Sequence, residues 1–301
     1  MKVTHFDISE GMIAKAKEIA EREGVMDNMT FIHGALEDLS AFDGGAGYGR
    51  FSILLAKRGL KVTHFDISEG MIAKAKEIAE REGVADNMTF VRGALEDLSA
   101  FGDNQFDMAM SFDAPISYTY PNHETVIGNL TRIASKRLVI SVYSRLAWTY
   151  QFDPAQKSKY ILDNNTRDPL ARWTLDHAIG QLAEYKPDMT SVREFFKTGL
   201  MEKPEETAVA YDKGNSPWPV SYSFMPDELT SILESTGAKG IKLSGPGALS
   251  RSIPGEVLPN IIQDKRLKQE FLDFCYWYDS QPWCVGMGKD NLVAIADLQG
   301  E

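Results

Sequence analysis

The sequence predicts an α/β fold built on a doubly wound, mostly parallel sheet. Three observations point there: a glycine-rich turn that opens a helix near residue 50, an acid closing the next strand-like run, and strand and helix signals that alternate along much of the chain. Strands that alternate with helices form a parallel sheet whose two faces the helices cover.

Residues 51–57, Phe-Ser-Ile-Leu-Leu-Ala-Lys, read as the first turns of a helix, and 60–65 as a strand. Residues 68–82 read as a helix, with Ser68 as N-cap and Gly83 as its stop. Strands are expected at 88–92 and 106–112. Within 123–135, Val126, Ile127, Leu130 and Ile133 recur at helical spacing, and 137–143 is a buried strand. The order breaks at Arg145. Residues 146–222 mix helical stretches with Trp148, Tyr150, Tyr160, Trp173 and Tyr185. A helix over 225–237 and a strand over 240–244 resume the pattern. A second interruption covers 245–290, and 291–296 is the closing strand.

Asp43, Gly45, Gly47 and Gly49 stand at alternate positions. A backbone without Cβ atoms turns sharply and admits a ligand closely. The helix after this run offers free N–H groups and a partial positive charge. Asp66 lies 21 residues beyond Gly45, where a doubly wound fold presents a carboxylate to ribose hydroxyls. An adenosine-containing cofactor is expected. The dinucleotide fingerprint does not fit: counted from Gly45 its third glycine would be Arg50, and counted from Gly44 its second would be Ala46.

The Asp-x-Gly-x-Gly-x-Gly run at 43–49 resembles motif I of the class I S-adenosylmethionine-dependent methyltransferases, and the resemblance extends over roughly 43–145 and the C-terminus. It implies a seven-stranded Rossmann-like sheet with an antiparallel last strand, and S-adenosyl-L-methionine as cofactor. Asp66, followed by Ile67, matches the family's ribose-binding acid. Met71 falls where the family packs an apolar side chain on the adenine. The run 93–98 resembles the segment that holds the adenine edge, with Ala94 in place of the usual Asp and Leu95 beside it. Residues 106–112 resemble the fourth strand, so Ser111 is expected beside the methyl group. Asp113, Tyr118 and His123 come next, at the carboxyl edge of the sheet, where ligands bind in open α/β folds. They are the candidate catalytic residues, able to assist loss of a proton from an oxygen or ammonium acceptor. Transfer itself is a displacement that alignment and desolvation accelerate. The two interruptions are expected to act as lids, and their aromatic content suits a small, partly apolar acceptor. The run Asp-Ala-Pro-Ile at 113–116 matches poorly the Asp/Asn-Pro-Pro-aromatic motif of nucleic-acid amino-methyltransferases. The expected function is therefore methyl transfer to a small molecule. The alternatives are a non-catalytic S-adenosylmethionine-binding module and a nucleic-acid or protein methyltransferase.

Composition sets outer bounds. At 301 residues, 43% hydrophobic and 25% charged, the chain can bury one sizeable core and an appended subdomain. Its net charge of −11 opposes the footprint of a nucleic-acid binder. No apolar run approaches the roughly 18–20 residues of a membrane span, and no signal-peptide apolar core is expected at the N-terminus. Cys275 and Cys284 make neither a disulfide framework nor a metal-site spacing. A cytoplasmic protein without metal or membrane partner is expected.

The chain also repeats itself. Residues 2–42 and 61–101 differ only at Met26/Ala85, Ile32/Val91 and His33/Arg92. The repeat is either a recent duplication or an artefact of sequence assembly. No glycine-rich loop stands before the first copy, so it is expected to be peripheral, irregular or differently folded, and dispensable for binding. Residues 35–42 promise a poor substitute for an apolar, β-branched first strand. The expected organisation is the duplicated segment 1–42, a cofactor-binding core 43–145, an inserted lid 146–222, and the end of the core at 223–301 with its insertion at 245–290.

Overall fold

The computed structural model describes residues 3–7, 10–26, 29–33, 39–147, 189–200, 204–213, 219–250, 253, 257–289 and 291–298. Most of the expected lid, including Trp148, Tyr150, Tyr160, Trp173 and Tyr185, lies outside them. The chain divides into two compact units, residues 1–110 with 130–137, and residues 111–129 with 138–301.

The first unit opens with the first copy of the repeat. β1 (Val3–Asp7), α1 (Glu10–Arg22) and β2 (Met29–His33) form a parallel two-stranded sheet separate from the main one. Its register, Val3↔Met29 through Asp7↔His33, reproduces the second copy's Val62↔Met88 through Asp66↔Arg92. The expectation of an irregular first copy is corrected. Near-identical local sequence gives the same βαβ unit in both places.

The main strands of this unit are β3 (Ser40–Gly44), β4 (Lys61–Asp66), β5 (Met88–Arg92) and β6 (Phe106–Ser111). They lie in the order β5-β4-β3-β6, all parallel. α2 (Arg50–Ala56) joins β3 to β4, and α3 (Glu69–Arg81) joins β4 to β5, as the spacing predicts. Ser68 caps α3, its hydroxyl accepting the Met71 amide at 3.3 Å.

β3 overturns the reading of 35–42 as a poor strand. Its side chains alternate between two apolar layers. Ala41 joins Ile53, Ala56, Leu60, Val62, Ala79, Val84 and Met88 on one face. Phe42 packs on the other against the rings of Phe65, Phe101 and Phe106, with centroids 5.2–5.3 Å away. Neighbours on both edges, β4 and β6, supply the backbone hydrogen bonds that local propensity did not promise.

α4 (His123–Ile133) runs directly into β7 (Ala134–Ser144); residues 130–137 of this pair are counted with the first unit and the rest of both with the second. α5 (Met189–Thr198), α6 (Pro204–Asp212), the two-residue β8 (Ser223–Phe224), α7 (Pro226–Ser235) and β9 (Lys239–Ser244) come after it. The second insertion forms α8 (Leu258–Gln263) and α9 (Lys265–Asp279), and β10 (Asn291–Asp297) closes the chain. β10 lies between β7 and β9 and is antiparallel to β9, while β8 pairs in parallel with β7. The strands are mostly parallel and the last is antiparallel, as predicted. Among the described residues no helix is long and apolar enough to cross a membrane.

Arg145, where the sequence pattern breaks, is a hub. Its side chain is 7% exposed. Nε donates to the Ser223 carbonyl at 3.0 Å, Nη1 to the Phe196 carbonyl at 3.1 Å, and Nη2 to the Tyr222 hydroxyl at 3.2 Å and Glu228 Oε2 at 3.0 Å. One guanidinium thus ties the end of β7 to α5, β8 and α7. Removing one member of a buried ion pair strands the other, at a cost of about 3–5 kcal/mol. Arg145→Ala is expected to lose stability of that order in urea denaturation, and a loss under about 1 kcal/mol, the range of an exposed pair, would show the hub to be incidental.

Candidate functional site

The cofactor-side residues lie in the first unit, and the carboxyl end of β4 organises them. The Phe65 carbonyl accepts the amides of Gly45 at 2.9 Å and Ala46 at 3.1 Å. The Asp66 carboxylate accepts the Gly47 amide on Oδ2 at 2.7 Å and the Ser68 amide on Oδ1 at 2.8 Å. It therefore bridges the glycine loop to the start of α3. Gly47 has φ +55° and Gly49 φ +85°, the left-handed region that glycine enters without penalty. A Cβ on Gly47 would meet nothing within 4 Å, whereas one on Gly49 would press on Ala75 Cβ at 3.2 Å. Gly49 is needed for packing; Gly47 leaves open space on its outer side.

Asp43 is 1% exposed, and its Oδ2 accepts the Ser52 hydroxyl at 2.5 Å. Ser52 Oγ in turn lies 3.0 Å from His64 Nδ1. The expected acid of the loop is thus turned inward. Burial lowers the His64 pKa most strongly, against the charge of Asp66 and the Gly47 carbonyl, which raise it. Asp66 is 7% exposed, while Ile67 and Met71 beside it are 67% and 45% exposed. Leu95 is buried over Gly44, so its side chain belongs to the core, and Ala94 is half-buried.

These residues fit an adenosine-bearing cofactor. A carboxylate has about four acceptor positions, and Asp66 uses two, leaving room for ribose hydroxyls. Exposed apolar side chains beside it suit an adenine face, and open space over Gly47 suits close approach of a ligand. Among the described residues no cluster of three His, Cys, Asp or Glu could hold a metal ion.

The remaining candidates lie in the second unit. Ser111 is fully buried, and its hydroxyl has no hydrogen-bond partner among the described residues. Asp113 is exposed and, with Ala114, takes a left-handed backbone conformation, φ +65° and +61°. The Ala114 amide donates to Ser141 Oγ at 3.3 Å. The Tyr118 and Tyr143 hydroxyls are hydrogen-bonded to each other, and burial raises the Tyr118 pKa. His123 is buried, with its ring stacked on Tyr222 at 4.2 Å between centroids and edge-on to Phe224 at 5.3 Å. Its Nδ1 has no partner among the described residues. Burial lowers its pKa, against the carboxylates of Glu124 and Glu228. The Tyr222 hydroxyl donates to Glu228 Oε1, and burial and that carboxylate push its pKa up to about 12.

Sequence reasoning missed Ser52, His64, Tyr143 and Tyr222. His64 carried a signal, since it stands two residues before Asp66 and so on the same face of β4.

Residues 41–136 match a family model described as a methyltransferase domain. The chain is 36% identical over 74 residues to the tRNA 5-carboxymethoxyuridine methyltransferase of Escherichia coli, covering 25% of this chain and 28% of that protein. It is 32% identical over 108 residues to the chloroplastic magnesium protoporphyrin IX methyltransferase of Arabidopsis thaliana, covering 36% and 33%. The matched segment thus spans about a third or less of each of these relatives. Among solved structures, an S-adenosylmethionine-dependent methyltransferase from Mesorhizobium loti is similar at TM-score 0.48 and 15% identity, over 88% of this chain and 93% of that one.

Charge-assisted bonds to backbone amides contribute about 1.5–3 kcal/mol each. Asp66→Ala should therefore speed hydrogen exchange at the Gly47 and Ser68 amides about tenfold or more. Unchanged protection at both amides would remove Asp66 as the anchor of the loop.

Proposed function

We propose that this chain, which matches a methyltransferase-domain model over residues 41–136, is a class I S-adenosylmethionine-dependent methyltransferase that binds S-adenosyl-L-methionine at the 43–49 loop and Asp66 and transfers its methyl group to a small molecule. The observation that carries the reading is the Asp66 carboxylate, which holds Gly47 and Ser68 while keeping acceptor positions free. The cofactor, when bound, supplies a methyl group on a positively charged sulfur, open to displacement. Asp66 orients the ribose hydroxyls, Ile67 and Met71 cover the adenine, and the bare face of Gly47 accommodates the methionine moiety. Ala94 and Leu95 offer backbone at the adenine edge, and Ser111 closes the end of β6.

Among the candidate catalytic groups, protonation states divide the labour. Tyr118 and Tyr222, with raised pKa values, stay protonated at neutral pH and act as hydrogen-bond donors. His123, with a lowered pKa, is neutral there and accepts a proton on Nδ1. Asp113, exposed and held by strained backbone, orients the acceptor. The cytoplasm is the proposed compartment. The net charge of −11 favours a small molecule over the tRNA on which one relative acts. Methyl-labelled cofactor offered with small-molecule, tRNA and protein fractions is expected to label the first; label confined to tRNA or protein would sink the small-molecule reading.

Asp66→Ala is expected to weaken S-adenosylmethionine binding tenfold or more in calorimetric titration. Asp7→Ala should leave it unchanged, and a larger loss from Asp7→Ala would move the site to the first copy. His123→Ala is expected to cut turnover about 10²–10⁴-fold with cofactor affinity retained. Because burial lowers the His123 pKa, the neutral base is lost only as pH falls through a value below 6.5. The wild-type rate limited by this group should be flat above neutrality and fall in acid. An acid limb that survives in His123→Ala would assign the base to another residue.

A further inference from the structure

We infer that His64 is a positioning residue for the glycine loop, holding it through a buried hydrogen-bond chain and making cofactor binding depend on its protonation. The inference rests on the cofactor reading above. His64 is fully buried in β4, directly opposite Asp43 in the β3–β4 register.

Proton counting fixes the chain. Ser52 has one hydroxyl hydrogen, and the 2.5 Å contact to Asp43 Oδ2 uses it. The 3.0 Å contact between Ser52 Oγ and His64 Nδ1 must then be donated by Nδ1–H. Neutral His64 is therefore the Nδ1–H tautomer, with a bare Nε2. That atom is buried without a hydrogen-bond partner among the described residues, and the Gly47 backbone works against burial to raise the His64 pKa. The chain His64→Ser52→Asp43 crosses β4, α2 and β3, the elements that flank the loop. His64 also supports the loop directly, since a Cβ on Gly49 would stand 3.6 Å from its Cε1.

Acid adds the second proton at Nε2 and puts an imidazolium behind the glycine loop, beside Gly49. The groups facing it are Asp43 from β3, Ser52 from α2, Asp66 from its own strand and the Phe90 ring from β5, with centroids 5.3 Å apart. Lys76 of α3 lies over the far ring of Phe90, 5.6 Å from its centroid. The two carboxylates already accept hydrogen bonds, so they attenuate the new charge without cancelling it. A cation under the loop repels the sulfonium of S-adenosylmethionine and not the neutral thioether of S-adenosylhomocysteine.

The test uses the full chain. Nitrogen chemical shifts of labelled histidine should show neutral His64 protonated on Nδ1, a readout that needs no cofactor. S-adenosylmethionine affinity should fall several-fold as acid protonates His64, at a pH below the ordinary imidazole range and followed by the same nitrogen shifts, with little change for S-adenosylhomocysteine. His64→Asn keeps a donor at the Nδ1 position but cannot titrate, so the ratio of its S-adenosylmethionine affinities at neutral and acid pH should fall to near one. His64→Leu, lacking the donor, should bind about tenfold more weakly at pH 8. An Nε2–H tautomer, or an unaltered acid response in His64→Asn, would overturn the inference. Wild-type protein that binds neither compound at pH 8 would refute the cofactor reading instead, while the tautomer would still decide the hydrogen-bond chain.

Discussion

The cofactor side of the molecule depends on two adjacent acceptors at the end of β4. The Phe65 carbonyl and the Asp66 carboxylate together collect the amides of Gly45, Ala46, Gly47 and Ser68. A carboxylate that is 7% exposed would be costly without such partners, and charge-assisted N–H bonds offset the lost hydration. The register Gly44↔Phe65 sets the height at which loop and acceptors meet. A slip of β4 by one residue would turn Phe65 out of its aromatic layer and His64 and Asp66 into it, against Phe42, Phe101 and Phe106. Two buried polar side chains would then sit among aromatic rings, so the hydrophobic pattern and the site enforce the same register.

Much of this was legible because it is local. The helix over 68–82, its Ser68 cap, and the strands at 88–92 and 106–112 each carry their own periodicity and punctuation. The β3 strand was not legible, and the repeat shows why. Leu-Ser-Ala-Phe occurs twice, at 39–42 and 98–101. In the first copy it enters β3; in the second it is a turn ending at Phe101. The four residues are identical, so their propensities cannot decide. The two copies diverge immediately after Phe, into Asp43 and the glycine loop in one case and Gly102-Asp103-Asn104 in the other. Only β3 has a strand to pair with on each edge. The two phenylalanines then meet across one core, edge to face at 5.2 Å.

The second unit was less legible for a related reason. Arg145 marked a break in the pattern, but its partners at 196, 222, 223 and 228 lie 51–83 residues away. No spacing rule links them. The same holds for Tyr118 and Tyr143 and for the stack of His123 on Tyr222. Sequence placed Tyr118 and His123 near the edge of a sheet; burial and partners, which only the fold supplies, separate a phenol that keeps its proton from an imidazole that can take one.

The duplicated segment isolates what makes a site out of a motif. Asp7 and Asp66 close the same strand sequence, in the same register with a parallel partner. Of the three differences between copies, Arg92 is the most polar in effect, donating to the Ile67 carbonyl at 3.2 Å and to Glu69 at 3.1 Å. That ion pair joins side chains 64% and 82% exposed, and pairs of this kind contribute little. The copies are therefore close to equivalent in local energy. They differ in the residues ahead of them. Asp66 is reached from the glycine loop through α2, the right-handed crossover that parallel neighbours require. Among the described residues β1 and β2 pair with each other in a sheet of their own. At Asp66 a left-handed glycine brings its amide within reach of the carboxylate, and that contact, made with a loop that lies outside the repeated residues, gives one carboxylate a setting that the repeat itself does not encode.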